Sequence, residues 1–149
     1  MNLIFQPTFS LPQSFPVQHF GYSSRFKVPL RFKNASTKLW DTFLFDFIFD
    51  TGAEVSLAPE YLMTNYNYTP LCCGSIRGVI ERGDCVAVTR LAWVSLKLVD
   101  IYNTESKEIY AKFSFCPSST IMIIGMKDLI ENLGFHKEIR NGYLILTTV

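Results

Sequence analysis

The sequence predicts a small all-β domain of barrel-like architecture. Three observations carry that reading. Residues 25–33, Arg25-Phe26-Lys27-Val28-Pro29-Leu30-Arg31-Phe32-Lys33, alternate apolar and charged with period two, the mark of a half-buried strand. Further short apolar runs follow, separated by turn signals and without an internal repeat. The composition is 48% hydrophobic and 15% aromatic, with 13 Phe, and suits strands rather than disorder.

The chain has 149 residues, enough for one domain with a modest core. Residues 1–24 carry Pro7, Pro12 and Pro16 among Phe, Ser and Gln, which disfavours helix and central strand, so this part reads as an extended arm. The domain proper is residues 25–149. Pro29 places the first strand near an edge or a bulge. Asn34-Ala35-Ser36-Thr37 is a turn, and residues 39–49 return as the second strand of a hairpin. Residues 58–66 read as a short helix with Pro59 near its start. Gly74, Gly78 and Gly83 space a mobile hairpin.

Residues 85–99 are a long strand-like run and 108–116 another, with a polar turn at 102–107. Residues 118–125 read as a buried strand ending in Gly125. Lys127 to Leu133 has helical spacing, stopped by Gly134. Asn141-Gly142 is a hairpin turn, and the chain closes on Leu144-Ile145-Leu146. Trp40 and Trp93 read as core or interface anchors.

Charge and cysteine usage narrow the function classes. Net charge is +1 without a long basic run, which gives nucleic-acid binding little support. No apolar run approaches the roughly 18–20 residues of a membrane span. Met1 to Pro7 lacks a basic region and a clean apolar core, so a signal peptide is not expected and a cytoplasmic setting is. Cys72, Cys73, Cys85 and Cys116 show no CxxC spacing and read as free thiols rather than metal ligands. His19 and His136 read as surface residues outside any metal pattern.

The chemistry concentrates at Asp50-Thr51-Gly52-Ala53, which follows the apolar run 43–49. The pattern delivers one carboxylate from the end of a strand into a tight turn. Such a carboxylate is costly to bury unless it is hydrogen-bonded or catalytic. Thr51 and Gly52 supply a hydroxyl, a small volume and close backbone donors. The simpler alternative is a turn Asp that caps neighbouring amides. Carboxylate-pair hydrolysis needs two such aspartates sharing one proton. Only one Asp-Thr-Gly occurs here, so the second would come from another copy of the chain.

Asp50-Thr51-Gly52-Ala53 with Ser56, the hairpin Gly74 to Gly83, and Ile123-Ile124-Gly125 before a helix occur in that order. Over residues 25–149 this resembles the retropepsin-like aspartic proteases. The resemblance implies a single-lobe closed β-barrel with one short C-terminal helix, working as a two-fold homodimer. It implies Asp50 as the catalytic carboxylate, with Thr51 locking the two active-site loops and Gly52 contacting substrate backbone. Ala53 would lie beside the outer carboxyl oxygen. The hairpin would be a flap over an extended peptide or protein substrate, with Gly74, Ile76, Gly78 and Val79 facing it. Ile124-Gly125 would pack beneath the catalytic loop, buttressed by the helix of residues 127–133.

No cofactor or metal is implied. Many retroviral members place an Arg after the apolar-apolar-Gly and an Asp two residues after the Asp-Thr-Gly. Met126 and Glu54 stand there instead, so that ion-pair brace is absent or replaced. The charged Arg77 and Glu81 also stand in the flap. The other reading is a catalytically idle module of the same fold that binds peptides or drives dimerisation.

Ala53 offers no side-chain donor to the anion, so the carboxylate pair is held down less than with Ser or Thr there. A mildly acidic activity optimum is expected in a pH–rate profile. A maximum at strongly acidic pH contradicts it.

Overall fold

The computed structural model describes residues 2–7, 25–50, 56–77, 86–117, 122–125 and 135–148. The expected helix at 127–133, residues 8–24 of the arm, most of the flap hairpin, Glu54 and Met126 lie outside them. The described elements run in the order β1 (Asn2–Phe5), β2 (Arg25–Phe32), β3 (Phe45–Asp50), β4 (Ser56–Pro59), α1 (Glu60–Asn65) and β5 (Cys72–Arg77). They continue with β6 (Val86–Leu98), β7 (Ile109–Cys116), β8 (Ile123–Gly125), β9 (Phe135–Arg140) and β10 (Tyr143–Thr148).

The larger sheet has the order β2-β3-β8-β4-β7-β6-β5, and a further pairing of β2 with β6 closes it. Six strands thus form a barrel, with β5 attached outside the ring. The 13-residue length of β6 makes this possible. Residues 86–91 pair with β5, while Leu96, Lys97 and Leu98 pair on the same edge with β2. Closure removes free sheet edges from the ring.

The period-2 pattern of β2 decides the inside. Phe26, Val28, Leu30 and Phe32 are buried and meet Phe47 and Phe49 of β3. Ala92, Val94, Leu96 and Leu98 of β6 complete this interior with Phe113 and Phe115 of β7. Phe32 sits at its centre, with ring centroids of Phe47 at 5.8 Å, Tyr66 at 5.4 Å and Phe113 at 6.3 Å. Such tilted and edge-to-face contacts suit the ring quadrupoles. Trp93 points the other way. It is 41% exposed and stacks on Tyr110 at 5.0 Å, so it anchors the outer surface of the β6–β7 pair rather than the core.

Tyrosine hydroxyls in this core find partners. Tyr68 donates to the Lys33 carbonyl at 2.7 Å, with the Ser95 carbonyl at 3.2 Å, and its burial raises its pKa. Tyr66 donates to the Asp41 carboxylate, and that bond holds Asp41 below the usual carboxylate range. The stabilisation from this bond is present above the ordinary Asp value and is lost as pH falls through the lowered one. Arg31 links Glu105 (2.7 Å) to the Asp41 carbonyl (2.8 Å), and Lys97 joins Glu105 at 3.6 Å. These half-exposed pairs contribute little beyond fixing the hairpin.

A second sheet, β1-β10-β9, is antiparallel throughout. Asn141 (φ 53°) and Gly142 (φ 80°) make its β9–β10 turn, as the Asn-Gly signal predicts. Leu3 and Phe5 of β1 are fully buried. The buried Asp100 holds β1 to the barrel: its carboxylate accepts from the amides of Ile4 (3.3 Å), Tyr102 (2.9 Å) and Thr104 (2.8 Å). The Ile101 amide donates to the Ile4 carbonyl at 3.1 Å, and the Lys27 amide to Gln6 at 3.0 Å. Residues 2–5 of the arm are therefore a strand built into the body. Among the described residues, no helix is long and apolar enough to cross a membrane.

Removing the Asp100 carboxylate orphans these amides. Asp100→Ala is expected to cost about 2–3 kcal/mol, and Asp100→Asn less because one acceptor remains. The check is a lower urea midpoint at unchanged slope.

Candidate active site

Three strands position the candidate site. Asp50 is the last residue of β3. Its backbone lies in register with Gly125 of β8 on one side and with Arg25 of β2 on the other. The β3–β8 pair is parallel, so both strands end together, with Ile48 beside Ile123 and Phe49 beside Ile124. Phe49 and Ile124 are buried in the core, which fixes the height at which β3 ends.

β4 follows the Asp-Thr-Gly segment and returns through the same wall. Leu57 pairs with Ile123, while the strand runs parallel to β7 from Ser56–Phe113 to Pro59–Cys116. All four β4 residues are buried. Ser56 is the polar one among them, and its Oγ accepts from the Gly125 amide at 3.0 Å. This bond ties the first residue of β4 to the residue in register with Asp50. The hydroxyl is a structural acceptor that crosslinks β4 and β8.

Leu57, Cys116 and the half-buried Ile123 form a small apolar cluster separate from the main core. Pairing places Gly125, Ile123, Leu57, Ser114 and Leu91 on the sheet face opposite the core, because paired residues share a face and alternate residues return to it.

Of the residues expected at the site, Asp50 has its backbone described, while Thr51, Gly52, Ala53, Gly78 and Val79 lie outside the described residues. Gly74 and Ile76 lie on β5, in register with Thr89 and Ala87 of β6. They are not paired with the strand that carries Asp50; β6 carries them on the far edge of the ring. Thr89 is buried, and its hydroxyl finds no hydrogen-bond partner among the described residues. α1 starts at Glu60, directly after Pro59, and Glu60 meets Arg90 of β6 at 3.1 Å. His136 is exposed, and no group of His, Cys, Asp and Glu that could hold a metal occurs among the described residues.

Sequence reasoning missed two features. One is Arg25, opposite Asp50, because register between strands is not written in either strand alone. The other is β4, whose four consecutive buried residues show no alternation.

A solved structure of a retropepsin-like aspartic protease from Rickettsia conorii superposes with a TM-score of 0.50, covering 98% of this chain and 90% of that one at 15% identity. The fold is retropepsin-like. No family model matches the sequence, and no curated protein does. The likeness therefore lies in the fold.

Ser56→Ala would leave the buried Gly125 amide without an acceptor. A loss of about 1–3 kcal/mol is expected, read as a lower denaturant midpoint, and Ser56→Thr should retain most of the stability.

Proposed function

We propose that this chain is a retropepsin-like aspartic endopeptidase, active as a homodimer. One observation carries the reading. The Asp of the sole Asp-Thr-Gly ends β3 beside Gly125 of β8, within a closed barrel of retropepsin-like fold.

Two Asp50 carboxylates would meet across a two-fold axis. At close range both cannot ionise, so the pair titrates together and holds one proton. The ionised member draws a proton from water as that water attacks the scissile carbonyl. The protonated member hydrogen-bonds the carbonyl oxygen. A proton then passes to the leaving amine. Two carboxylates and a water complete this chemistry. Thr51 would lock the paired loops, and Gly52 and Ala53 would line the cleft.

The substrate would be an extended peptide, added as a strand between the cleft floor and a flap bearing Gly74, Ile76, Gly78 and Val79. The abundance of Phe, Ile and Leu favours apolar substrate side chains. A second reading, an idle peptide-binding or dimerisation module, draws on Glu54 and Met126 standing where the ion-pair brace is usual.

Cleavage of a mixed peptide library, wild type against Asp50→Asn, across pH about 3–8 separates the two. The protease reading expects specific cuts that disappear in the variant. A folded dimer that cuts nothing supports the idle module.

A further inference from the structure

We propose that the outer edge of β9 is a self-association surface, and that its partner is β9 of a second copy of this chain. The inference rests on the homodimer reading and names the strand through which two copies join. Among the described residues β9 pairs along one side only, with β10. Strand edges of this kind are templates for pairing with another chain. The two-residue turn Asn141-Gly142 makes Arg140 and Tyr143 the closing pair of the hairpin. Arg140 and Glu138 therefore direct their backbone groups toward β10, and Ile139 directs its amide and carbonyl outward. The side chains of Glu138, Ile139 and Arg140 are all exposed. The opposite side of this sheet is already engaged: on β1, the Ile4 amide donates to Asp100 and the Ile4 carbonyl accepts from Ile101.

A row of apolar side chains crosses the sheet and stops at the β9 edge. Phe5 is opposite Leu144, and Leu144 is opposite Ile139, so the three share one face. Phe5 and Leu144 are fully buried, whereas Ile139 is 46% exposed. The row thus ends on its least covered member. An antiparallel β9 from a second copy, with the two-fold axis at Ile139, carries the row on through the partner's Ile139 and the partner's Leu144.

The charges select the same register. A two-fold antiparallel pairing of identical strands sets one residue opposite itself. With Ile139 on the axis, Glu138 stands opposite the partner's Arg140, and Arg140 opposite the partner's Glu138. Within one copy the Arg140 guanidinium already donates to Glu138 at 2.6 Å, so pairing makes a cluster of four alternating charges. An axis at Glu138 would set two carboxylates face to face and His136 against the partner's Arg140. An axis at Lys137 would oppose two ammonium groups. Like charges directly opposite destabilise a ladder. The segment Glu138-Ile139-Arg140 is self-complementary about its centre, and its neighbours in the strand are not.

The test is sedimentation of the full chain as wild type, Glu138→Arg, Arg140→Glu and the double variant, with a disulfide trap at Ile139→Cys. Each single reversal opposes like charges twice across the axis and should raise the dimer Kd about tenfold or more. The double variant should restore most of the affinity. Directly opposed residues have Cα atoms about 5.5 Å apart, within disulfide reach. Oxidised Ile139→Cys should therefore give a dimer linked through position 139, located by peptide mass mapping with wild type as the control for the native cysteines. Wild-type affinity in both folded single variants overturns the proposal, as does a dimer without the 139 linkage. If a reversal variant does not fold, the disulfide trap alone decides. A dimer that cleaves peptides but ignores these changes overturns this proposal and leaves the protease reading standing. A dimer linked through 139 that cleaves nothing overturns the protease reading alone.

Discussion

Closure of the barrel through β6 is the constraint on which the rest of the structure depends. One strand of 13 residues pairs with β7 along one edge and with both β5 and β2 along the other. Leu96 and Leu98 supply the β2 contact and at the same time line the core beside Phe32. Without that contact the larger sheet is open, β2 becomes an edge strand, and the interior loses a wall. The Phe-rich core then has no reason to hold β3 and β8 at one height.

That height matters because it sets where Asp50 stands. Phe49 and Ile124 are packed in the core and paired with each other, so the next residues on both strands, Asp50 and Gly125, emerge together. Ser56 completes the arrangement from the third strand with one buried hydrogen bond. The local order is apolar packing first, then a backbone register, then a polar crosslink. The backbone of Asp50 is thus flanked by register partners on β2 and β8, and β8 is tied in turn to β4. β1 plays a comparable part at the other sheet, where Asp100 converts an N-terminal segment into a packed strand.

Legibility in the sequence followed the physics of each element. The period of β2, the turn at Asn141-Gly142 and the long run of β6 were readable because local chemistry alone specifies them. The Asp-Thr-Gly segment was readable as a strand end, and the apolar-apolar-Gly as a second one. β1 was hidden by its flanking prolines, because burial of Leu3 and Phe5 depends on β10 and on Asp100, far away in sequence. β4 was hidden because burial on both faces removes alternation. Trp93 read as an anchor, and it is one, but on the outer face, since parity with Val94 rather than size decides direction. The register that sets Arg25 opposite Asp50 carried no local signal, because only the folded sheet fixes it.

The dyad in a two-fold dimer is the central claim, and binding stoichiometry tests it most directly. A statine-type transition-state analogue should be titrated into the protein by calorimetry, with Asp50→Asn as control. A shared site made by two copies predicts one inhibitor for every two chains, and no binding to the variant. One inhibitor per chain, or equal binding to the variant, would contradict it.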